Sequence, residues 1–383
     1  VQFIRYAALL HDIGHGPFSH VSERALERYA DRSKLAPHQK KEKIHEIVTA
    51  AMIRTNPEIV TILGKDDCEH IVRLLGSNYA EPVEHSVVSG PLDADKQDYL
   101  LRDSYFCGVQ YGVFDLHQLH RSLKAFGQEH DRYLMLEPDG VHAAEQFVLA
   151  KYYLTTNVYR HKVRLITDEM IVRAIVLGID RDEIEELRTL FSFDNSDRFV
   201  ENYAAWDDNR FIQKFGGKVG TKCGVLLERL RKRLLLKRVF QAKPKEFSPK
   251  TRDISLNLHK MAFKELRAAI ESGIAEKIQE QSGQTLDADF VILNTFDIKS
   301  VREMSRNDEA SILVAKTPEP VSFEEESSLF ASINEGFKEE FIEVYAPIVW
   351  ETRGQRERLI SEIRGPIFEI VEEYCTGKEE VNG

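Results

Sequence analysis

Residues 7–20 read AALLHDIGHGPFSH, and the last ten of them contain three histidines and one aspartate. An apolar helical pattern ends at the adjacent pair His11 and Asp12, and a loop rich in Gly and Pro carries His15 and His20. Neighbours on a regular helix point about 100° apart, so the helix must end here if both side chains of the pair share one cation. The glycines and the proline supply that break. Imidazole and carboxylate groups are suitable ligands for Mn, Fe, Zn or Ni. The alternative to a metal site is a solvated His-Asp pair at the end of a helix.

A second group of polar side chains lies on residues 92–103, whose apolar positions favour a helix. Asp95, Tyr99 and Asp103 recur every four residues and therefore share one helix face, with Lys96 beside them. A carboxylate on that face can complete a metal site, and a lysine can neutralise phosphate oxygens. For this segment alone, a solvated charged face is the alternative.

Both stretches resemble one family. Residues 7–20 closely resemble the signature of the HD-domain metal-dependent phosphohydrolases. A second signature resembles the branch that contains the deoxynucleoside triphosphate triphosphohydrolases, in the order Asp95-Lys96, Tyr99, Arg102-Asp103, Gly108-Val109-Gln110 and Phe114-Asp115. The resemblance covers about residues 1–240 and is loose beyond them. It implies hydrolysis of a deoxynucleoside triphosphate (dNTP) to a deoxynucleoside and triphosphate.

The resemblance implies a single divalent ion held by two His and two Asp. His11, Asp12 and Asp95 match three of these ligands, and we expect the fourth, a His, upstream of residue 1. The apolar helical pattern already includes Val1, so we also expect the natural N-terminus upstream. The ion is expected to be Mn, Fe, Mg, Co, Ni or Zn.

Catalytic and substrate-binding roles follow from the same resemblance. His15, His20, Glu23 and His45 match its acid/base and phosphate-contact positions, with His20 or His45 as proton donor and Glu23 as the group that orients a histidine. The residues that match substrate contacts are Lys96, Tyr99, Asp103, Lys151 and Tyr159.

Among these contacts, Tyr99 is expected to pack against the sugar and Asp103 to accept a hydrogen bond from the 3′-OH. Lys151 and Thr155 stand where animal relatives carry Arg and His. An ordinary helix aromatic is the alternative for Tyr159.

Two basic segments resemble regulatory nucleotide contacts of animal relatives. The first contains His161 and Lys162, and the second is the cationic end of a predicted helix over 221–240, where Arg233 and Lys237 stand one turn apart. They imply a phosphate site at a subunit interface, for an effector nucleotide or single-stranded nucleic acid. A solvated helix face is the alternative.

Composition narrows the class of protein. The 383 residues carry a net charge of −11, which argues against a general nucleic-acid coat or an anionic membrane surface as partner. Four widely spaced cysteines without a C-x-x-C predict a reduced, cytoplasmic protein. No apolar run approaches the roughly 18 residues of a membrane span. The family resemblance implies a homo-oligomer, from dimer to hexamer.

The predicted fold is mainly α, with a helical HD-domain core over 1–240 and a smaller α+β portion over 251–383. A linker rich in Pro and Lys joins them at 241–250. The longer predicted helices cover 142–178, 196–214, 221–240, 256–280 and 351–375, and the predicted C-terminal strands cover 290–293, 312–315 and 341–345.

Two other functions remain open at this point. One is hydrolysis of a different phosphoester, such as a nucleoside monophosphate, a cyclic dinucleotide or a nucleic-acid end. The other is a regulatory protein that binds nucleotide or single strands on an HD scaffold. Turnover of dNTPs with release of triphosphate separates the leading hypothesis from both.

Overall fold

A computed structural model describes residues 1–37, 39–76, 79, 82–127, 132–305, 311–333 and 339–377. Helices dominate its first two thirds. Their bounds are α1 Gln2–Leu10, α2 His20–Tyr29, α3 Ile44–Thr55, α4 Pro57–Leu63, α5 Lys65–Leu75, α6 Pro82–Ser89, α7 Ala94–Cys107, α8 Leu116–Ser122, α9 Val141–Leu154, α10 Lys162–Asp180, α11 Glu185–Phe191, α12 Asp197–Ala204, α13 Asp208–Phe215 and α14 Lys222–Arg231.

The remaining helices are α15 Pro249–Ser255, α16 Lys264–Ser282, α17 Val301–Met304, α18 Phe323–Glu326, α19 Ser328–Ala331 and α20 Arg353–Gly377. The strands are β1 Leu123–Phe126, β2 Tyr133–Leu136, β3 Lys237–Ala242, β4 Ile292–Ile298, β5 Leu313–Val314, β6 Val321–Ser322 and β7 Glu339–Ala346. The prediction of a mainly α fold is confirmed.

Two small sheets interrupt the helices. One has the strand order β1-β2-β5-β6, in which only β2 and β5 run parallel. The other has the order β3-β7-β4 with antiparallel neighbours. In β3 the side chains of Val239, Phe240 and Ala242 are buried, and they pack with α16 and α20 in one apolar core.

Apolar cores connect distant parts of the chain. The largest packs α2, α3 and α10–α14 together and includes Ile292 and Tyr345 from the second sheet. Another joins α7 and α9 to residues 301–305 and 311–333. β3 pairs with β7 through residue 242 and so extends into the predicted linker at 241–250. The division into 1–240 and 251–383 stays a prediction.

The predicted helix over 221–240 is wrong beyond residue 231. α14 ends at Arg231, Arg233 adopts a left-handed backbone with φ of 56°, and Lys237 begins β3. Pairing with β7 favours a strand here, and an irregularity in the register between Arg238 and Phe240 accompanies the burial of both Val239 and Phe240. Arg233 and Lys237 therefore do not stand one turn apart on a helix.

The predicted helix over 142–178 is also interrupted. A π-helical turn at Thr155–Tyr159 ends α9, and α10 begins at Lys162. Thr155 and Thr156 donate their hydroxyl hydrogens back to the carbonyls of Lys151 and Tyr152, which competes with regular helix pairing. Among the described helices, none is long and apolar enough to cross a bilayer.

Candidate active site

The turn after α1 is fixed against α3. The amide of Gly14 donates to the hydroxyl of Thr49 at 3.0 Å, and that hydroxyl donates to the carbonyl of His11 at 3.1 Å. A Cβ at Gly14 would lie 2.3 Å from the carbonyl oxygen of His45, so only glycine permits this approach. The approach places His15 beside His45, with ring centroids 4.2 Å apart.

The loop that follows this turn places His20 near His15 and His45. Phe18 and Ser19 both have positive φ, 63° and 50°, a region that non-glycine residues rarely occupy. The amide of Phe18 donates to Asp208 Oδ1 at 2.7 Å, and its ring packs on Phe211. These contacts with α13 hold a strained loop directly before α2, as is common at functional sites.

The structure brings His11, Asp12 and Asp95 together. His11 Nδ1 donates to the carbonyl of Ala8 at 2.9 Å, which leaves Nε2 as the free ligand atom. His11 Nε2 lies 3.3 Å from Asp12 Oδ2 and 3.8 Å from Asp95 Oδ2. Asp95 reaches this position because Asp93 caps α7 through the amide of Lys96 and sets the first turn.

The electrostatics of these three residues suit a cation. Hydrogen bonds to Asp12 and then Asp95 raise the pKa of His11 to about 10, although burial opposes the shift. Burial raises the pKa of Asp12, but contacts with His11 and His15 outweigh it and hold this pKa well below its usual range. The group therefore favours positive charge at its centre, and its N and O donors fit a divalent metal ion.

Glu23 is the centre of a second cluster. Its Oε1 atom lies 2.7 Å from His15 Nδ1, 2.7 Å from His45 Nδ1 and 3.4 Å from His20 Nδ1. Burial raises the pKa of Glu23, but the three imidazoles outweigh it and lower the pKa below its usual range. His15 also links the clusters, because its Nε2 lies 3.5 Å from Asp12 Oδ1.

The His15 contacts are close but poorly aligned. Neither ring nitrogen of His15 nor Oε1 of Glu23 has a hydrogen bond of good geometry, although all three atoms are buried. Among the described residues, His15, Glu23 and His45 form the group whose donor atoms all lie within 4.8 Å of one another. Such buried polar atoms are normally completed by water, an ion or a ligand.

Tyr99, Asp103 and Tyr159 form one wall of the site. Tyr159 donates to Asp103 Oδ2 at 2.6 Å, and its ring lies 6.1 Å from that of Tyr99. Burial raises the pKa of Tyr99, and the carboxylates of Asp93 and Asp95 raise it further, so its phenol stays protonated.

The two lysines that were predicted to bind phosphate both donate hydrogen bonds to other groups of the protein. Lys96 pairs with Asp93, and its Nζ also donates to the carbonyl of Gly90 at 3.1 Å. Lys151 Nζ donates to the carbonyl of Met304 at 3.1 Å. Both lysines are therefore held by protein acceptors.

The predicted regulatory residues form two separate pairs. His161 caps α10 by accepting from the amide of Val163 at 3.3 Å. A phosphate site formed by His161, Lys162, Arg233 and Lys237 at a subunit interface stays a prediction.

Sequence reasoning missed a cleft beside the catalytic cluster. It measures about 1200 Å³ and lies between α2, α10, α16 and β4, with His20 and Glu23 at one end. Arg24, Arg160 and Arg164 line it. The signal was the pair of arginines four residues apart at the start of α10, but periodicity could not show which cavity they face.

Comparison with known families agrees with this geometry. Residues 1–88 match the family described as HD domain, and residues 114–353 match the family described as HD associated region. The chain therefore belongs to the family of proteins that combine an HD domain with an HD associated region. The similarity to its triphosphohydrolase branch is confirmed at low sequence identity.

Individual relatives match parts of the chain. The uncharacterized protein YwfO of Bacillus subtilis is 31% identical over 160 residues, covering 41% of this chain and 33% of YwfO. The SAMHD1 homolog of Dictyostelium discoideum, described as a deoxynucleoside triphosphate triphosphohydrolase, is 29% identical over 182 residues, which cover 45% of this chain and 33% of the relative. The chain thus spans about a third of the length of these curated relatives.

A solved structure shares the fold over most of the chain. The crystal structure of a phosphohydrolase from Bacteroides thetaiotaomicron has a TM-score of 0.63 and 21% identity, covering 90% of this chain and 79% of the other.

Proposed function

We propose that the protein hydrolyses dNTPs to deoxynucleoside and triphosphate. One observation carries the proposal: the cation-favouring group of His11, Asp12 and Asp95 lies beside a wall in which Tyr159 is hydrogen-bonded to Asp103. A metal-binding group alone is compatible with the hydrolysis of any phosphoester. The adjacent aromatic wall with a carboxylate suits a sugar that presents a hydroxyl.

His11, Asp12 and Asp95 would hold the divalent ion. When bound, the ion polarises a phosphoryl oxygen and activates water. The residues of this chain keep Nε2 of His11 directed at the site, because Nδ1 is occupied by the carbonyl of Ala8.

His20 and His45 are the candidates for proton transfer to the leaving 5′-oxygen. Glu23 faces Nδ1 of both rings, so Nε2 of each is the atom able to carry the proton. His20 has a side chain that is 68% exposed, which gives a substrate access to it. His15 has one nitrogen facing Asp12 and the other facing Glu23, so it acts as a positioning residue.

Selection for deoxyribose is assigned to Tyr99, Tyr159 and Asp103. The two rings lie at 69° to each other and line one wall, where Tyr99 would pack under the sugar. Asp103 already accepts from Tyr159 and has lone pairs left for the 3′-OH. A ribose 2′-OH against the ring of Tyr99 would be buried without a partner, which is costly.

The deciding experiment is a product assay on the natural gene product. Each dNTP and each ribonucleotide is incubated with Mn, Mg, Co, Ni or Zn, and the phosphate products are separated. Release of inorganic triphosphate from dNTPs supports the proposal. Release of pyrophosphate or single phosphates, or turnover only of monophosphates or cyclic dinucleotides, refutes it in favour of another phosphoester.

We also propose that the protein works in the cytoplasm and responds to an effector nucleotide or, less favoured, a nucleic acid. We propose further that it is a homo-oligomer, from dimer to hexamer. The feature that supports assembly is an exposed aromatic pair at the end of α7, where Tyr105 is 81% and Phe106 79% exposed. Exposed aromatic pairs of this kind are typical of interfaces. Light scattering with Tyr105→Ser/Phe106→Ser tests the assembly; an unchanged oligomer would remove this face from it.

A further inference from the structure

The catalytic cluster faces a second cavity besides the wall of Tyr99 and Tyr159. The cleft between α2, α10, α16 and β4 has His20 and Glu23 among its lining residues. Its volume of about 1200 Å³ is larger than a sugar requires. A substrate that reacts at His20 can therefore extend one end into this cleft.

Three guanidinium groups gather at this end of the cleft. Arg24 follows His20 by one turn of α2, while Arg160 and Arg164 lie on either side of the start of α10. Burial lowers the pKa of Arg160, and the charges of Arg164 and Arg24 lower it further, although the carboxylates of Asp297 and Asp168 oppose the shift. The three cations are therefore within electrostatic reach of one another.

Two of the three arginines have a partner and spare donors. Arg24 pairs with Glu169 at 2.6 Å, and Arg164 pairs with Asp168 at 3.4 Å. Both side chains remain about half exposed. A guanidinium has five N–H donors, so one ion pair leaves several for a ligand.

Arg160 differs from its neighbours. Within the described parts of the chain, no carboxylate lies within 4 Å of its guanidinium, which sits over the ring of Phe296 at 5.7 Å. A half-buried cation without a direct anionic partner is costly. Asp297 in the same cleft acts on Arg160 without a direct ion pair, and an anionic ligand would supply that direct pair.

The π-helical turn connects the wall of Tyr99 and Tyr159 to the cleft. It ends at Tyr159, which bonds Asp103, and the next residue, Arg160, lines the cleft. Single π-turns in helices occur frequently at functional sites. This one places Tyr159 against Asp103 and the next side chain, Arg160, in the lining of the cleft.

We infer that Arg24, Arg160 and Arg164 form a polyphosphate subsite that binds the phosphate tail of the nucleotide. The inference rests on the proposed function, since it assigns the tail of that substrate. It is supported by Lys96 and Lys151, which bond to protein acceptors instead. Guanidinium forks match phosphate oxygens bidentately, as an ammonium does not.

The test measures binding of inorganic triphosphate by calorimetry in EDTA, so that metal chelation by the probe does not contribute. The variants are Arg160→Gln and Arg164→Gln. The matched control is Arg181→Gln, which also lines the cleft but lies four to five turns further along α10. Thermal unfolding of each variant verifies that it is folded.

We expect Arg160→Gln and Arg164→Gln each to weaken triphosphate binding about tenfold or more, and Arg181→Gln to leave it unchanged. Arg160→Lys should recover part of the loss. Binding of a deoxynucleoside without phosphates should not change in any variant. The inference is overturned if the protein does not bind triphosphate, if the three Gln variants behave alike, or if deoxynucleoside binding falls equally. Because no turnover is needed, failure of dNTP hydrolysis with triphosphate binding intact counts against the proposed function alone.

Discussion

The amide of Gly14 donates a hydrogen bond to the hydroxyl of Thr49 across 3.0 Å, and this contact joins the turn after α1 to α3. The turn carries His11 and His15, and α3 carries His45. The contact therefore sets the distance between the metal-binding group and the Glu23 cluster.

Gly14→Ala should destabilise the protein. Its Cβ would lie 2.3 Å from the carbonyl of His45 and 2.4 Å from the amide of Thr49, so backbone must move. Overpacking of this kind costs about 1–3 kcal/mol, which urea unfolding measures. The control is Gly273→Ala in α16, where the nearest atom to the new Cβ lies at 3.5 Å, an ordinary van der Waals contact. It should stabilise by about 0.5–1 kcal/mol; equal losses in both variants would refute the packing argument.

Asp95→Asn should abolish metal-dependent activity. The change removes the negative charge that faces His11 Nε2 at 3.8 Å, so both Mn binding and turnover should fall by at least about a hundredfold. Calorimetry with Mn and a phosphate-release assay measure the two effects. Asp98→Asn, on the same helix but paired with Arg102 at the surface, is the control and should retain both. Retained Mn affinity in Asp95→Asn would remove this residue from the ligand set.

Tyr159→Phe should raise KM for dNTPs with a smaller change in kcat. The variant loses the 2.6 Å hydrogen bond that orients Asp103 toward the sugar. A hydrogen bond to a charged group contributes about 1.5–3 kcal/mol, which corresponds to roughly 10- to 150-fold in kcat/KM. Tyr153→Phe, an exposed tyrosine of α9, should behave like the unchanged protein. If both variants are equally active, Asp103 does not depend on Tyr159.

Glu271 should make stability depend on acid pH. Burial raises the pKa of Glu271, but Arg173 at 2.5 Å and Arg267 at 3.0 Å outweigh it and lower the pKa. Because the folded pKa is below the unfolded value of about 4.3, the stabilisation is complete above that pH and is lost as pH falls below it.

Glu271→Gln should therefore cost about 3–5 kcal/mol at pH 7, because two arginines lose their buried anion. The difference from the unchanged protein should shrink below about pH 4. Urea unfolding at several pH values measures it. Glu362→Gln, which breaks an exposed pair with Arg358, should cost about 0–1 kcal/mol. A pH-independent difference for Glu271→Gln would contradict the assigned charge.

Much of this architecture was accessible from the sequence because the relevant residues are close along the chain. The break after His11 followed from the glycines and proline, and the face of Asp95, Tyr99 and Asp103 followed from helical spacing. The mainly α class followed from apolar periodicity. These are local signals, and they need no knowledge of packing.

The remaining features depend on contacts between distant segments. Residues 232–240 have a helix-forming composition, yet pairing with β7 makes a strand of their end. Lys151 points to Met304, which is 153 residues away. The cleft exists only because β4 and α16 pack opposite α10. Tertiary pairing overrides local propensity in the first case, and the other two arise from packing between distant segments.

The middle strand of the β3-β7-β4 sheet is the last of the three to be synthesised. Until β7 emerges from the ribosome, β3 and β4 have unpaired edges. β4, which forms one side of the cleft, then lacks its neighbouring strand. Translation that stops between residues 298 and 339 would leave a polypeptide that contains every proposed catalytic group and two unpaired strand edges, which favours aggregation over activity.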